Sequence, residues 1–185
     1  ATGEYTLLKE QEVPGGYDKD EYVAYRVWSE APDGTKVPVS IVHRADLDRT
    51  QPNPTLLYGY GSYEANMDPY FSVFRLSLMD RGMIFAMAHV RGGGEMGRTW
   101  YDDGKMLAKK NTFTDFIAVA DDLIARRVTT PETLVAEGGS AGGLLMGAVA
   151  NMAPDRFKAI EANVPFVDPL TSILMPELPL TVVEW

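Results

Sequence analysis

Residues 137–143 read Glu137-Gly138-Gly139-Ser140-Ala141-Gly142-Gly143. Thr133 to Ala136 precede them as a strand-like run, and an apolar run of helical character follows, containing Leu144, Leu145, Met146, Ala148, Val149 and Ala150. Strand, G-x-S-x-G turn and helix together make a nucleophile elbow, in which a sharp turn lifts a serine hydroxyl above the sheet. Glycines suit such a turn because larger side chains collide with the neighbouring strand and helix backbones. Ser140 also sits at a helix N-terminus, where free N–H groups and the helix dipole favour negative charge. The alternative is a glycine-rich strand–helix turn carrying an incidental serine. The flanking elements favour the nucleophile, and with it acyl transfer through a serine ester.

Outward from the elbow, strands and helices alternate. Glu21 to Ser29 and Lys36 to His43 are β-rich runs joined by Ala31-Pro32-Asp33-Gly34, a hairpin signal. Thr55 to Tyr58 reads as a short strand ending at Gly59-Tyr60-Gly61, and Met83 to Val90 as a strand covered on both faces. The spacing of Phe113, Phe116, Ile117, Ala120, Leu123 and Ile124 predicts a helix over 112–127, with Thr112 and Asp115 resembling a capping box. Leu134 to Glu137 is the next strand, Ala141 to Met152 a buried helix, and Ala159 to Val167 a last strand. The pattern predicts an α/β fold with a mostly parallel sheet and helices on both faces. Residues 1–20 are polar, broken at Pro14-Gly15-Gly16, and read as a linker. The absence of an initial methionine and the stop at Trp185 within a patterned region suggest cuts at both ends.

Composition narrows the functional classes. With 17 basic and 26 acidic residues the formal charge is −9, which disfavours nucleic acid or an anionic membrane as partner. There are no cysteines, so disulfides and thiol chemistry are excluded. No run has the length of a membrane-spanning helix. The two histidines, His43 and His89, are isolated from each other in the sequence and disfavour a zinc site.

Other motifs carry competing interpretations. Arg91-Gly92-Gly93-Gly94-Glu95-Met96-Gly97 contains G-x-G-x-x-G after a strand, but residues 98–104 read as no helix start, and Glu95 would repel a pyrophosphate. A loop packed near the active-site mouth is the preferred reading. In an α/β-hydrolase the order is Ser, then Asp or Glu, then His. Both histidines precede Ser140, so neither is assigned as base; His89, in an apolar strand, reads as a satisfied structural residue. Asp155, Asp168 and Glu177 follow the serine without a histidine to orient. Tyr58-Gly59-Tyr60-Gly61-Ser62-Tyr63 lies at a strand end where α/β proteins bind ligands. Spacing alone favours an ordinary tyrosine-rich loop over an oxyanion donor.

In combination, four blocks resemble the catalytic domain of the prolyl oligopeptidase family of serine peptidases, and its oligopeptidase B branch most of all. They are Leu57 to Tyr63, His89 to Glu95, Lys110 to Asp115 and Gly138 to Gly147, continued by Val164 to Asp168 and Leu178 to Thr181. The resemblance implies that residues 21–185 are the N-terminal part of an α/β-hydrolase domain, incomplete on its C-terminal side. It implies that residues 1–20 connect to a β-propeller absent from this sequence. It makes Ser140 the nucleophile, and the Tyr60 hydroxyl with the Ala141 backbone N–H the oxyanion hole, which reverses the reading of Tyr60 from spacing. Tyr63 becomes a wall beside the P1 side chain, and Glu184 the first of two acidic residues that receive a P1 arginine or lysine. The second acidic residue and the triad Asp and His are expected beyond Trp185.

The expected activity is therefore cytoplasmic hydrolysis of short basic peptides without a cofactor or metal. The expected partner is the remainder of the same protein, with no nucleic acid or membrane. Rival expectations are a prolyl-specific or acylaminoacyl peptidase, an esterase on the same elbow, or an inert binding module.

Overall fold

The computed structural model describes residues 3–185. Its first elements are the antiparallel strands β1 (Tyr22–Glu30) and β2 (Lys36–Arg44). There follow β3 (Thr55–Gly59), α1 (Val73–Met79), β4 (Ile84–Ala88), α2 (Arg98–Asp102) and α3 (Lys110–Ala125). β5 (Leu134–Gly139), α4 (Ala141–Met152), β6 (Ala159–Asn163) and α5 (Pro169–Ile173) complete the chain. The sheet order is β1-β2-β4-β3-β5-β6. β4, β3, β5 and β6 run parallel, and β2 pairs antiparallel with β1 and β4. This is the mostly parallel α/β-hydrolase arrangement expected from the sequence.

Alternation along the inner strands divides the core between two faces. Leu57 of β3 and Ile84, Ala86 and Ala88 of β4 join α3 and α4 in the main cluster with Phe116, Leu123, Leu145 and Val149. Leu56, Phe85 and Met87 face the other way, toward Leu78 of α1. Buried apolar residues at successive positions of β3 and β4 thus report a sheet covered on both sides. β6 is the open edge, with residues 159 and 161–163 exposed.

Three local expectations need correction. Helix α3 begins at Lys110, so Thr112 and Asp115 lie inside it and form no capping box; the Thr112 N–H already bonds to Lys109 O. Its fully buried stripe is Thr112, Asp115, Phe116, Val119, Ala120 and Leu123, while Phe113, Ile117 and Ile124 are only half-buried. Asp115 belongs to this stripe because it faces inward to bind Arg91. Residues 98–102 do form a short helix after the glycine-rich loop, contrary to the reading of that segment. Finally, β6 ends at Asn163, because Val164 takes φ 39° ahead of Pro165 and the chain turns back toward the elbow.

Arg91 ties the glycine-rich loop to the scaffold. Its Nε and Nη2 donate to the two Asp115 carboxylate oxygens at 2.9 and 2.6 Å, and Nη1 donates to Asp33 in the β1–β2 turn at 2.7 Å. The bond from Arg91, reinforced by the Thr35 N–H, lowers the Asp33 pKa from 3.8 to about 2. A carboxyl depressed in the folded state adds stability above its unfolded pKa and loses it as pH falls through the folded one. Asp33→Asn should therefore be less stable than wild type at neutral pH. The gap should close as pH drops from 3.8 to about 2, as read by urea melts across that window. Because the Asp33 side chain is 48% exposed, solvent screening keeps the effect small. A gap that does not change with pH would exclude the ion pair as its source.

Candidate active site

The elbow forms because β5 and α4 meet with almost no room between them. A β-carbon on Gly142 would lie 2.6 Å from Gly59 O and 3.3 Å from Tyr60 Cα, and one on Gly138 would strike Gly142 O. Ser140, between them, has φ 56° and ψ −115°, a left-handed conformation that a non-glycine residue holds only when its surroundings enforce it. Three bonds do so. Ser140 N donates to Asn163 O at 2.9 Å, and Ser140 O accepts from Gly143 N at 2.9 Å and Phe166 N at 3.0 Å. The side chain is left exposed at the C-terminal edge of the sheet. Ala141 opens α4, so its N–H belongs to the first turn, which has no carbonyl partner within the helix.

Tyr60 follows β3 on the same edge, since β3 and β5 are parallel neighbours with Tyr58 opposite Glu137. Its ring abuts the start of α4: Tyr60 Cδ2 would be 3.5 Å from a β-carbon on Gly142. Burial, then the nearby Tyr63 and Glu184, raise the phenol's pKa, so it remains a proton donor in neutral and mildly alkaline solution. Gly61, next in the turn, has φ 69°, and a β-carbon there would meet the side chains of Thr112 and Val90. The elbow and the tyrosine turn are thus brought together.

Tyr63 stands in an aromatic group with Trp185 and Phe166. Trp185 Nε1 donates to Tyr63 Oη at 3.0 Å, and the two rings meet edge to face at 6.1 Å. Trp185 and Phe166 lie 5.5 Å apart, and Phe166 is the residue whose amide bonds Ser140 O. Glu184 is fully enclosed behind this wall. Its Oε1 accepts from Tyr63 N and its Oε2 from Tyr101 Oη, both at 2.8 Å, and Lys109 Nζ lies 3.9 Å from Oε1. Sequence reasoning missed Tyr101, Lys109, Phe166 and Trp185.

The histidines and remaining carboxylates lie elsewhere. His43 Nδ1 bonds its neighbour's Arg44 O at 2.7 Å. His89 is buried with Nε2 bonded to Ser40 Oγ at 2.8 Å, while Nδ1, 3.5 Å from Glu95 Oε1, has no hydrogen-bond partner among the described residues. The expected satisfied histidine is satisfied on one nitrogen only. Asp168 caps α5 by accepting from Thr171 N at 3.3 Å. The glycine-rich loop packs on the tyrosine turn: a β-carbon on Gly92 would strike Gly61 O, and one on Gly94 would lie 2.6 Å from Glu64 O.

Comparison with known proteins bears on the family and the fold. The model of the prolyl oligopeptidase family matches residues 69–185. Dipeptidyl aminopeptidase BI of Pseudoxanthomonas mexicana is 56% identical over 185 residues, covering 100% of this chain and 25% of that protein. Protease 2 of Moraxella lacunata is 50% identical over 184 residues, covering 100% of this chain and 27% of the relative. Among solved structures, oligopeptidase B from Trypanosoma brucei with covalently bound antipain, in a closed form, superposes with TM-score 0.94 at 54% identity. That match covers 100% of this chain and 26% of the other. The chain spans about a quarter of the length of these relatives.

Proposed function

The chain belongs to the prolyl oligopeptidase family, and on that premise we propose that the whole protein is a serine oligopeptidase cleaving short peptides after arginine or lysine. The observation that carries the reading is the strained, exposed Ser140 at the start of α4 with Tyr60 packed against the same turn. Ser140 Oγ attacks the scissile carbonyl and an O–C bond forms. Its proton passes to a histidine supplied by a part of the protein outside these residues, and from there to the leaving amine as the C–N bond breaks. Water then hydrolyses the ester. The Tyr60 hydroxyl and Ala141 N–H hold the oxyanion in both steps. Residues 1–20 join a β-propeller that admits only short peptides, and the enzyme acts in the cytoplasm.

The test is intact mass of the full-length protein after treatment with a serine-reactive fluorophosphonate, followed by peptide mapping. A single adduct on Ser140 is expected; an unlabelled folded protein sinks the reading.

Preference for a basic P1 residue draws on the likeness to oligopeptidase B and on the carboxylate behind Tyr63. Glu184 acts from behind the Tyr63–Trp185 wall, where its charge favours a cation, and direct pairing requires that wall to open. Glu184→Gln keeps the shape and removes the charge. It should lower kcat/KM on P1-arginine substrates by on the order of 2 kcal/mol, about 30-fold, while sparing uncharged P1 residues. Equal losses on both would leave Glu184 only the task of holding Tyr63. The name of the Pseudoxanthomonas relative favours a second reading, release of dipeptides from a free amino end. Cleavage of N-blocked as readily as of free-amino substrates would discount it.

A further inference from the structure

We infer that Lys109 is a positioning residue for the oxyanion turn: bonded to Gly61 and Ser62, its ammonium holds the Tyr60 hydroxyl where the oxyanion forms. The inference rests on the reading of Tyr60 as an oxyanion donor. Lys109 immediately precedes α3 and is 9% exposed. Its Nζ donates to Gly61 O and to Ser62 Oγ, both at 2.6 Å. It also lies 3.9 Å from Glu184 Oε1 and 4.6 Å from the centre of the Trp185 ring. Glu184 in turn accepts the Tyr63 N–H. Three successive residues after Tyr60 are therefore held by one buried ion pair.

The turn needs holding. Gly61, Tyr63 and Glu64 all have positive φ, at 69°, 60° and 55°. For Tyr63 and Glu64 such backbone is strained and relaxes unless neighbouring groups over-determine it. Packing alone would be served by an apolar side chain at 109, whereas a buried ammonium is costly to desolvate. That cost is visible in the Lys109 amine, which burial pushes down to about 8 against the pull of Glu184. What the ammonium supplies is three donors on one atom, enough to span a carbonyl and a hydroxyl while facing a carboxylate. Its anchor is rigid, because α3 carries Phe116 directly under Gly59, the residue before Tyr60: a β-carbon on Gly59 would lie 2.7 Å from that ring.

A double-mutant cycle in the full-length protein tests this, with kcat and KM measured on a short arginyl peptide. Lys109→Met should lower kcat about 10-fold with KM nearly unchanged, short of the roughly 10²-fold that a 1 Å misplacement can cost. If Lys109 acts through the phenol, the same substitution in a Tyr60→Phe background should cost almost nothing further, because the group it positions is gone. Equal fold-losses in the two backgrounds would overturn the inference, as would an unchanged kcat in the single variant. A purely structural lysine predicts equal losses. Should Lys109→Met fail to fold, Ser62→Ala takes its place in the cycle, since it removes one acceptor of Nζ and leaves the ion pair with Glu184. An unchanged kcat in Tyr60→Phe alone would sink the oxyanion reading itself. A slow Tyr60→Phe with additive Lys109→Met would sink only the role of Lys109.

Discussion

Replacing Ser140 with alanine in the full-length protein is expected to abolish fluorophosphonate labelling and to lower kcat about 10⁶-fold, the scale seen when a serine nucleophile is removed. The structure makes this a clean experiment. Ser140 is exposed, so losing its hydroxyl leaves no buried polar group without a partner. The elbow is held by backbone bonds from Ser140 N and to Ser140 O, both of which alanine retains. Alanine tolerates φ 56° no worse than serine does, so stability should stay within about 0.5 kcal/mol. A melt coincident with wild type together with lost turnover assigns the loss to chemistry. Turnover that survives would require another nucleophile and would remove Ser140 from the mechanism.

How much of this was legible in the sequence depended on whether local residues alone determined the outcome. The elbow was legible because strand, glycine turn and helix are contiguous, and Gly138, Gly142 and Gly143 each answer to a collision with neighbouring backbone. The hairpin and the succession of strands along the chain followed from Asp33-Gly34 and from apolar patterning in the same way. The buried stripe of α3 was legible only in part. Apolar spacing located the helix but could not foresee that Arg91, 24 residues earlier in the chain, would draw Asp115 inward at no exposure.

Glu184 illustrates a different limit. The family resemblance implied a carboxylate that receives substrate, yet its enclosure depends on Tyr63, Tyr101 and Lys109, which converge from three separate segments. Lys109 did leave one trace. Two adjacent lysines, Lys109 and Lys110, stand at the start of α3, where the helix dipole disfavours cations. Local propensity gives no reason for that choice. The bonds from Lys109 to Gly61 and Ser62 supply one.

Tyr60→Phe is expected to lower kcat by roughly 10²–10³-fold, the effect of removing one oxyanion-hole donor, with little change in KM. The ring stays, so its packing on Gly142 is kept and only the hydroxyl is lost. A donor aimed at charge that develops during reaction contributes to the transition state and not to the bound substrate, which is why kcat should carry the loss. The environment of the phenol supports this role. Burial and the neighbouring Tyr63 and Glu184 raise its pKa above the ordinary 10.0, keeping the proton on oxygen at any pH where a peptidase histidine can act as base. Wild-type kcat should therefore show no alkaline loss from this group below pH 10.0, and Tyr60→Phe should scale the pH profile down without moving its acid limb. Loss confined to KM would make Tyr60 a substrate contact instead. A shifted acid limb would mean that the phenol interacts with the base, and the oxyanion would then rest on the Ala141 N–H alone.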